Sequence, residues 1–135
     1  MLKPELRDFI ARTSRAHRIA SEDVRELAAF LLEDGLGSRE EAEALMALDR
    51  TVEAETGWAE LLQALVVDFV VWGARPTGFV TREDALWLAA ALDASGPESR
   101  SLRIAEAVGE EAEQIDESLV TFILHARQAS RTLAA

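Results

Sequence analysis

The chain has 135 residues, 49% apolar and 29% charged, a globular balance with enough length to bury a core without a disulfide or metal staple. It contains no cysteine, which excludes disulfides, thiolate metal sites and a cysteine nucleophile. Its net charge of −11 argues against nucleic acid as a partner, because a phosphate backbone would be repelled.

The first segment, Met1 to Glu5, lacks the basic-then-apolar layout of a signal peptide. Pro4 suits the first helical position, since its missing N–H would be unpaired there anyway. The spacing of Leu2, Leu6, Phe9 and Ile10 then predicts an apolar helical face over residues 4–17. This helix is basic. Lys3, Arg7, Arg12, Arg15 and Arg18 stand against Glu5 and Asp8 in residues 1–18, a net of +3 that leaves −14 for the rest. Arg7, Arg12 and Arg15 therefore either dock on the chain's own acidic surface or meet a partner.

A second helix starts near Ser21, with Glu22 and Asp23 at the positive end of its dipole and Val24, Leu27, Ala28, Leu31 and Leu32 on its buried stripe. Gly35 is expected to end it. Ser38-Arg39-Glu40-Glu41 has the spacing of a capping box. The Ser38 hydroxyl would accept the Glu41 amide, and Glu41 would reach back to the Ser38 N–H.

The fourth helix is expected over 57–73, where Trp58, Leu61, Leu62, Leu65, Val66, Phe69, Val70 and Trp72 cover most of the circumference, as in a buried central helix. Gln63 and Asp68 interrupt this stretch, which is too short to span a bilayer. A strand over 65–71 is disfavoured because no partner strand is apparent. Pro76 and Gly78 mark a turn, and Thr81-Arg82-Glu83-Asp84 opens a fifth helix with a second cap signal. Ser95-Gly96-Pro97 ends it. Two further helices follow over 98–111 and 116–132. The sum is an all-α, single-domain bundle of about seven helices spanning 1–135.

Residues 35–48 align with 78–91 without a gap. Gly35, Arg39, Glu40, Ala42, Leu45 and Ala47 meet Gly78, Arg82, Glu83, Ala85, Leu88 and Ala90. A weaker copy runs from Ile19 through Glu22-Asp23 to Ala29, so repeat units start near 21, 38 and 81. Such repetition predicts stacked helix–loop–helix units around the apolar helix. From Gly35 to Glu41, and from Gly78 to Asp84, the spacing resembles the second half of an EF-hand loop, in which a glycine bends the chain and an acid closes it. The first two ligand positions of the missing half would fall at Phe30 and Leu32, or at Gly73 and Arg75, which offer no carboxylate. The layout also resembles bacterial tellurite-resistance TerB-like helical proteins. Over about two-thirds of the chain, most clearly from Phe69 to Thr81, it is similar to an uncharacterised family of short bacterial all-helical proteins. That resemblance implies no activity and carries no functional residue across.

Asp68 is the most provocative side chain, a carboxylate within the most apolar helix and on the face of Leu65 and Trp72. It is expected either as a buried structural ion pair or helix-end hydrogen bond, with Arg39, Arg75 or Arg82 as partners, or as a metal ligand or general base with a raised pKa. His17 and His125 lack zinc-ligand spacing, no serine sits in a nucleophile elbow, and Gly35-Leu36-Gly37 lacks the lysine of a phosphate loop. No catalytic residue, metal or cofactor is assigned. The reading is a non-catalytic cytoplasmic protein working through a protein partner or self-association, with no membrane. A metal-responsive EF-hand-like or TerB-like protein is the alternative, and an enzyme using Asp68 the least favoured. Trp58, Trp72 and Trp87 are expected as core anchors, and an exposed Trp87 would instead mark a partner contact.

Overall fold

The computed structural model describes residues 2–31, 35–73, 76–94 and 99–134. The architecture is all-α, with seven α-helices among the described residues and four strands of two residues each. No helix among those residues is long and apolar enough to cross a membrane. The chain divides into two compact units, 1–66 and 67–135.

The first unit holds two helix–strand–helix hairpins. Helix α1 (Pro4–Ala16), strand β1 (Arg18–Ile19) and helix α2 (Ser21–Phe30) form one, and α3 (Arg39–Thr51), β2 (Glu53–Ala54) and α4 (Trp58–Val67) form the other. His17 ends α1 in the left-handed region, φ 55°, with its N–H donated to the Ser14 carbonyl at 3.2 Å, and this turns the chain into β1. Strands β1 and β2 pair in parallel, Arg18 beside Glu53 and Ile19 beside Ala54. The Glu53 and Glu55 N–H groups donate to the His17 and Ile19 carbonyls. Leu6, Phe9, Ile19, Leu27, Leu45, Met46, Trp58 and Leu62 are buried. Thr13 is buried on the apolar face of α1 because its hydroxyl donates to the Phe9 carbonyl at 2.8 Å, one turn back. Helix α2 stops at Phe30, earlier than expected. Gly35, at φ 63°, donates its N–H to the Leu31 carbonyl at 3.0 Å.

The second unit repeats the plan. A π-helical turn (Asp68–Trp72) leads to β3 (Phe79–Val80) and α5 (Arg82–Asp93), and α6 (Ser99–Glu111) leads to β4 (Gln114–Ile115) and α7 (Glu117–Ala134). The α-helix expected over 57–73 is therefore α-helical only to Val67. Beyond it the turn widens until the Gly73 N–H donates to the Asp68 carbonyl, five residues back, at 2.9 Å. A Cβ on Gly73 would lie 2.7 Å from the Phe69 carbonyl oxygen, so this closure requires glycine. Strands β3 and β4 also pair in parallel, Phe79 beside Gln114 and Val80 beside Ile115. Val70, Val71, Val80, Leu88, Leu92, Ile104, Val108 and Leu119 are buried.

One constant step in the sequence carries the first unit onto the second. It takes His17 to Gly78, both at positive φ, Ile19 to Val80, Leu27 to Leu88, Leu31 to Leu92 and Trp58 to Leu119, all buried. It also carries the β1–β2 register onto that of β3–β4. This corrects the internal repeat. The stronger sequence match, Gly35 with Gly78, pairs two equivalent caps on inequivalent helices, because among the described residues no strand lies between α2 and α3, whereas α5 follows β3. The weaker copy beginning at Ile19 is the structural counterpart of Val80 to Asp84.

Candidate functional site

Among the described residues the buried carboxylate is Glu41, 1% exposed, rather than Asp68. Its surroundings follow from the cap of α3. Ser38 takes the extended backbone of a cap residue and its hydroxyl accepts the Glu41 N–H at 3.2 Å, as expected. The Glu41 carboxylate does not return to the Ser38 N–H. One oxygen accepts the Gly37 N–H at 2.6 Å and the other accepts the Lys3 N–H at 3.1 Å. The second donor lies just ahead of α1, so the cap of one helix fastens the entry of another. The Lys3 ammonium adds a bond to the Gly35 carbonyl at 3.4 Å and stands 5.9 Å above the Phe30 ring. The acid that would close a calcium loop thus acts as an acceptor for two backbone donors. Its counterpart Asp84 likewise turns to the Thr81 hydroxyl at 3.2 Å. Among the described residues no three His, Cys, Asp or Glu side chains gather as a metal would need.

The parallel strand pairs explain two further carboxylates. Glu55 follows β2 and accepts the Ser21 N–H at 2.7 Å and the Arg18 guanidinium at 2.7 Å. The Ser21 N–H first, and Arg18 second, hold its carboxyl below the usual glutamate range. Asp116 occupies the matching place after β4. It accepts the Ser118 hydroxyl at 2.6 Å and the Ser118 N–H at 3.0 Å. These two bonds, with weaker attraction from Arg82, keep its carboxyl below the usual aspartate range.

Because β3 and β4 are parallel, α5 and α7 begin side by side. A shallow groove of about 360 Å³ opens there, lined by Phe79, Val80, Thr81, Arg82, Gln114, Ile115, Asp116 and Glu117. Gly78 shapes its approach. At φ 84° it turns the chain into β3, and the Glu113 side chain lies 3.4 Å from where its Cβ would stand. The groove offers an aromatic ring, one guanidinium and two carboxylates to an incoming group.

Asp68 is exposed and, among the described residues, makes no ion pair, which corrects the expectation of a buried pair with Arg39 or Arg82. It continues the exposed line of Glu60 and Ala64, four residues apart along α4. Arg75 lies outside the described residues. Arg39 is half-buried at the start of α3 and Arg82 lines the groove. Trp72 is 43% exposed, not a core anchor, whereas Trp58 is fully buried with its indole N–H donated to Asp49 at 2.9 Å. Trp87 is half-buried and meets Phe69 edge-on, centroids 5.9 Å apart. Arg12 reaches Glu26 at 2.7 Å and Asp23 at 3.3 Å, so part of the basic helix docks on its own unit, while Arg7 and Arg15 are exposed. Sequence reasoning passed over Phe79, Val120 and Leu124, all exposed. No local signal marks them, since β3 becomes a strand only by pairing with β4 and the open side of α7 is set by its packing on α5 and α6. Comparison with protein-family models, curated proteins and solved structures returns no match.

Proposed function

We propose that this chain is a non-catalytic helical module acting through protein–protein contacts, with a partner protein or with a second copy of itself. The observation that carries this reading is where its large apolar side chains are left in water. Trp72, Phe79, Leu86, Val120 and Leu124 are exposed in the second unit, against Phe30 in the first, which lies beneath the Lys3 ammonium. Single exposed apolar residues are ordinary, but contiguous ones mark contact surfaces. Val120 and Leu124 adjoin on successive turns of α7. The backbone bond from Gly78 to Val71 at 2.8 Å brings together the two segments that carry Phe79 and Trp72.

The polar groups support the same reading. Glu41, Glu55, Asp116 and Asp84 all serve backbone donors or their own helix caps, and Asp68 stands in solvent. The acidic, cysteine-free composition fits a cytoplasmic protein whose partner is neither nucleic acid nor membrane. The resemblance to short bacterial helical proteins is part of this proposal.

The test is zero-length and lysine-independent photo-cross-linking of the full chain in cells. Defined cross-linked species are expected, and they should weaken in a folded Trp72→Ala, Phe79→Ala, Leu124→Ala variant. Recovery of neither a self-cross-link nor a partner would overturn the reading.

A further inference from the structure

Helix α7 packs on α5 and α6 through one side and leaves the opposite side open. Along that side lie Glu117, Val120, Leu124 and Arg131, all exposed. Their spacing of three, four and seven residues places them on one stripe about 60° wide at 3.6 residues per turn. The stripe is acidic at its start, apolar in its middle and basic at its end. It is therefore complementary to itself when reversed.

Resting on the proposed role in protein contacts, we infer that the occupant of this face is a second copy of the chain, with two α7 helices packed antiparallel about a two-fold axis at Leu124. In that arrangement Leu124 meets Leu124 of the second copy, and Glu117 meets Arg131 of the second copy once on each side of the axis. Each ion pair falls about 10 Å from the axis along the helix at 1.5 Å per residue. The parallel alternative would set Glu117 against Glu117 and Arg131 against Arg131, so charge selects the antiparallel form. A two-fold contact uses the same patch on both copies and closes on itself, leaving no surface for open-ended growth.

The groove at the start of α7 completes the site. Glu117 and Asp116 line it together with the exposed ring of Phe79. The arginine arriving from the second copy thus finds a carboxylate for its guanidinium and an aromatic face for its stem. Each residue of the stripe is exposed on α7, outside the chain's own core.

The absence of native cysteine permits a direct test in the full chain. Leu124→Cys places one thiol at the axis, and mild oxidation should join two chains about tenfold faster or more than in an Ala11→Cys control on exposed α1, since a disulfide needs Cα atoms within about 7 Å. Glu117→Arg and Arg131→Glu should each weaken self-association by about tenfold or more by setting like charges opposite one another. Mixing these two single variants should restore it, because the mixed pair regains both complementary contacts. Circular dichroism verifies that each variant is folded. Slow cross-linking of the Leu124→Cys variant, or unchanged association of both charge variants, would overturn the inference while a dimer through another face preserves the contact-module reading. A wild type that is monomeric yet captures a different protein by cross-linking separates the two in the same way. A monomer that captures nothing overturns both.

Discussion

Replacing Glu41 with alanine removes a carboxylate that accepts from two backbone donors of the first unit. The Gly37 N–H at 2.6 Å and the Lys3 N–H at 3.1 Å both end on its carboxylate, in a site 1% exposed. Hydrogen bonds to a charged group contribute about 1.5–3 kcal/mol each, and a buried donor left unpaired costs on that scale. The side chain's packing is lost as well, and some water will enter the space. The expected destabilisation of Glu41→Ala is therefore about 3–5 kcal/mol. Glu41→Gln keeps the volume and one carbonyl acceptor but turns an N–H group toward a donor, so it should cost about 2–3 kcal/mol. Both are measured by urea unfolding followed through tryptophan fluorescence, where the fully buried Trp58 reports on the same unit. A loss below about 1 kcal/mol for the alanine variant, the level of an ordinary exposed cap, would refute the claim that this carboxylate fastens α1 to α3.

Further expectations follow from backbone and charge. His17→Gly should stabilise by about 0.5–1 kcal/mol, because a β-carbon at φ 55° is strained and glycine is not. Gly78→Ala should do the reverse by about 1–2 kcal/mol, its φ of 84° and the nearby Glu113 side chain both opposing a Cβ. Asp68→Asn should change stability by less than about 0.5 kcal/mol, as expected for an exposed site, and a larger loss would reveal a partner for that carboxylate. The Asp116 carboxyl is held below the aspartate value of 3.8 by Ser118, so its contribution is present above that pH and is lost as pH falls through the lower folded value. Ser118→Ala should accordingly flatten the acid limb of the stability–pH curve, and an unchanged slope would contradict the assignment.

The helices were legible because their signals are local. The Ser38 and Thr81 caps, the acidic first turns and the periodic stripe of α2 depend on residues within one or two turns. The strands were not legible, since a two-residue strand has no periodicity and β1 becomes a strand only through β2, far along the chain. The same limit hid the true duplication. Matching Gly35 with Gly78 follows the strongest local identity, whereas His17 with Gly78 follows a shared left-handed conformation that two different residues satisfy. Asp68 was misjudged for a related reason. A mean apolar composition says a helix is buried, but Glu60, Ala64 and Asp68, four residues apart, form one exposed line along it. The exposed pair Val120 and Leu124 continues an apolar pattern on α7, and only the packing of α5 and α6 shows which side is left over.

The central claim is that the apolar side chains left exposed on the second unit serve contact between proteins, with α7 meeting a second copy. Sedimentation velocity of the wild-type chain across a dilution series from high to low micromolar concentration, run beside Leu124→Glu, tests it most directly. The expected result is a reversible monomer–dimer equilibrium in the wild type that Leu124→Glu shifts to monomer without loss of helix content. A wild-type dimer that Leu124→Glu leaves intact, or a wild type monomeric throughout the series, would contradict the contact of α7 with a second copy.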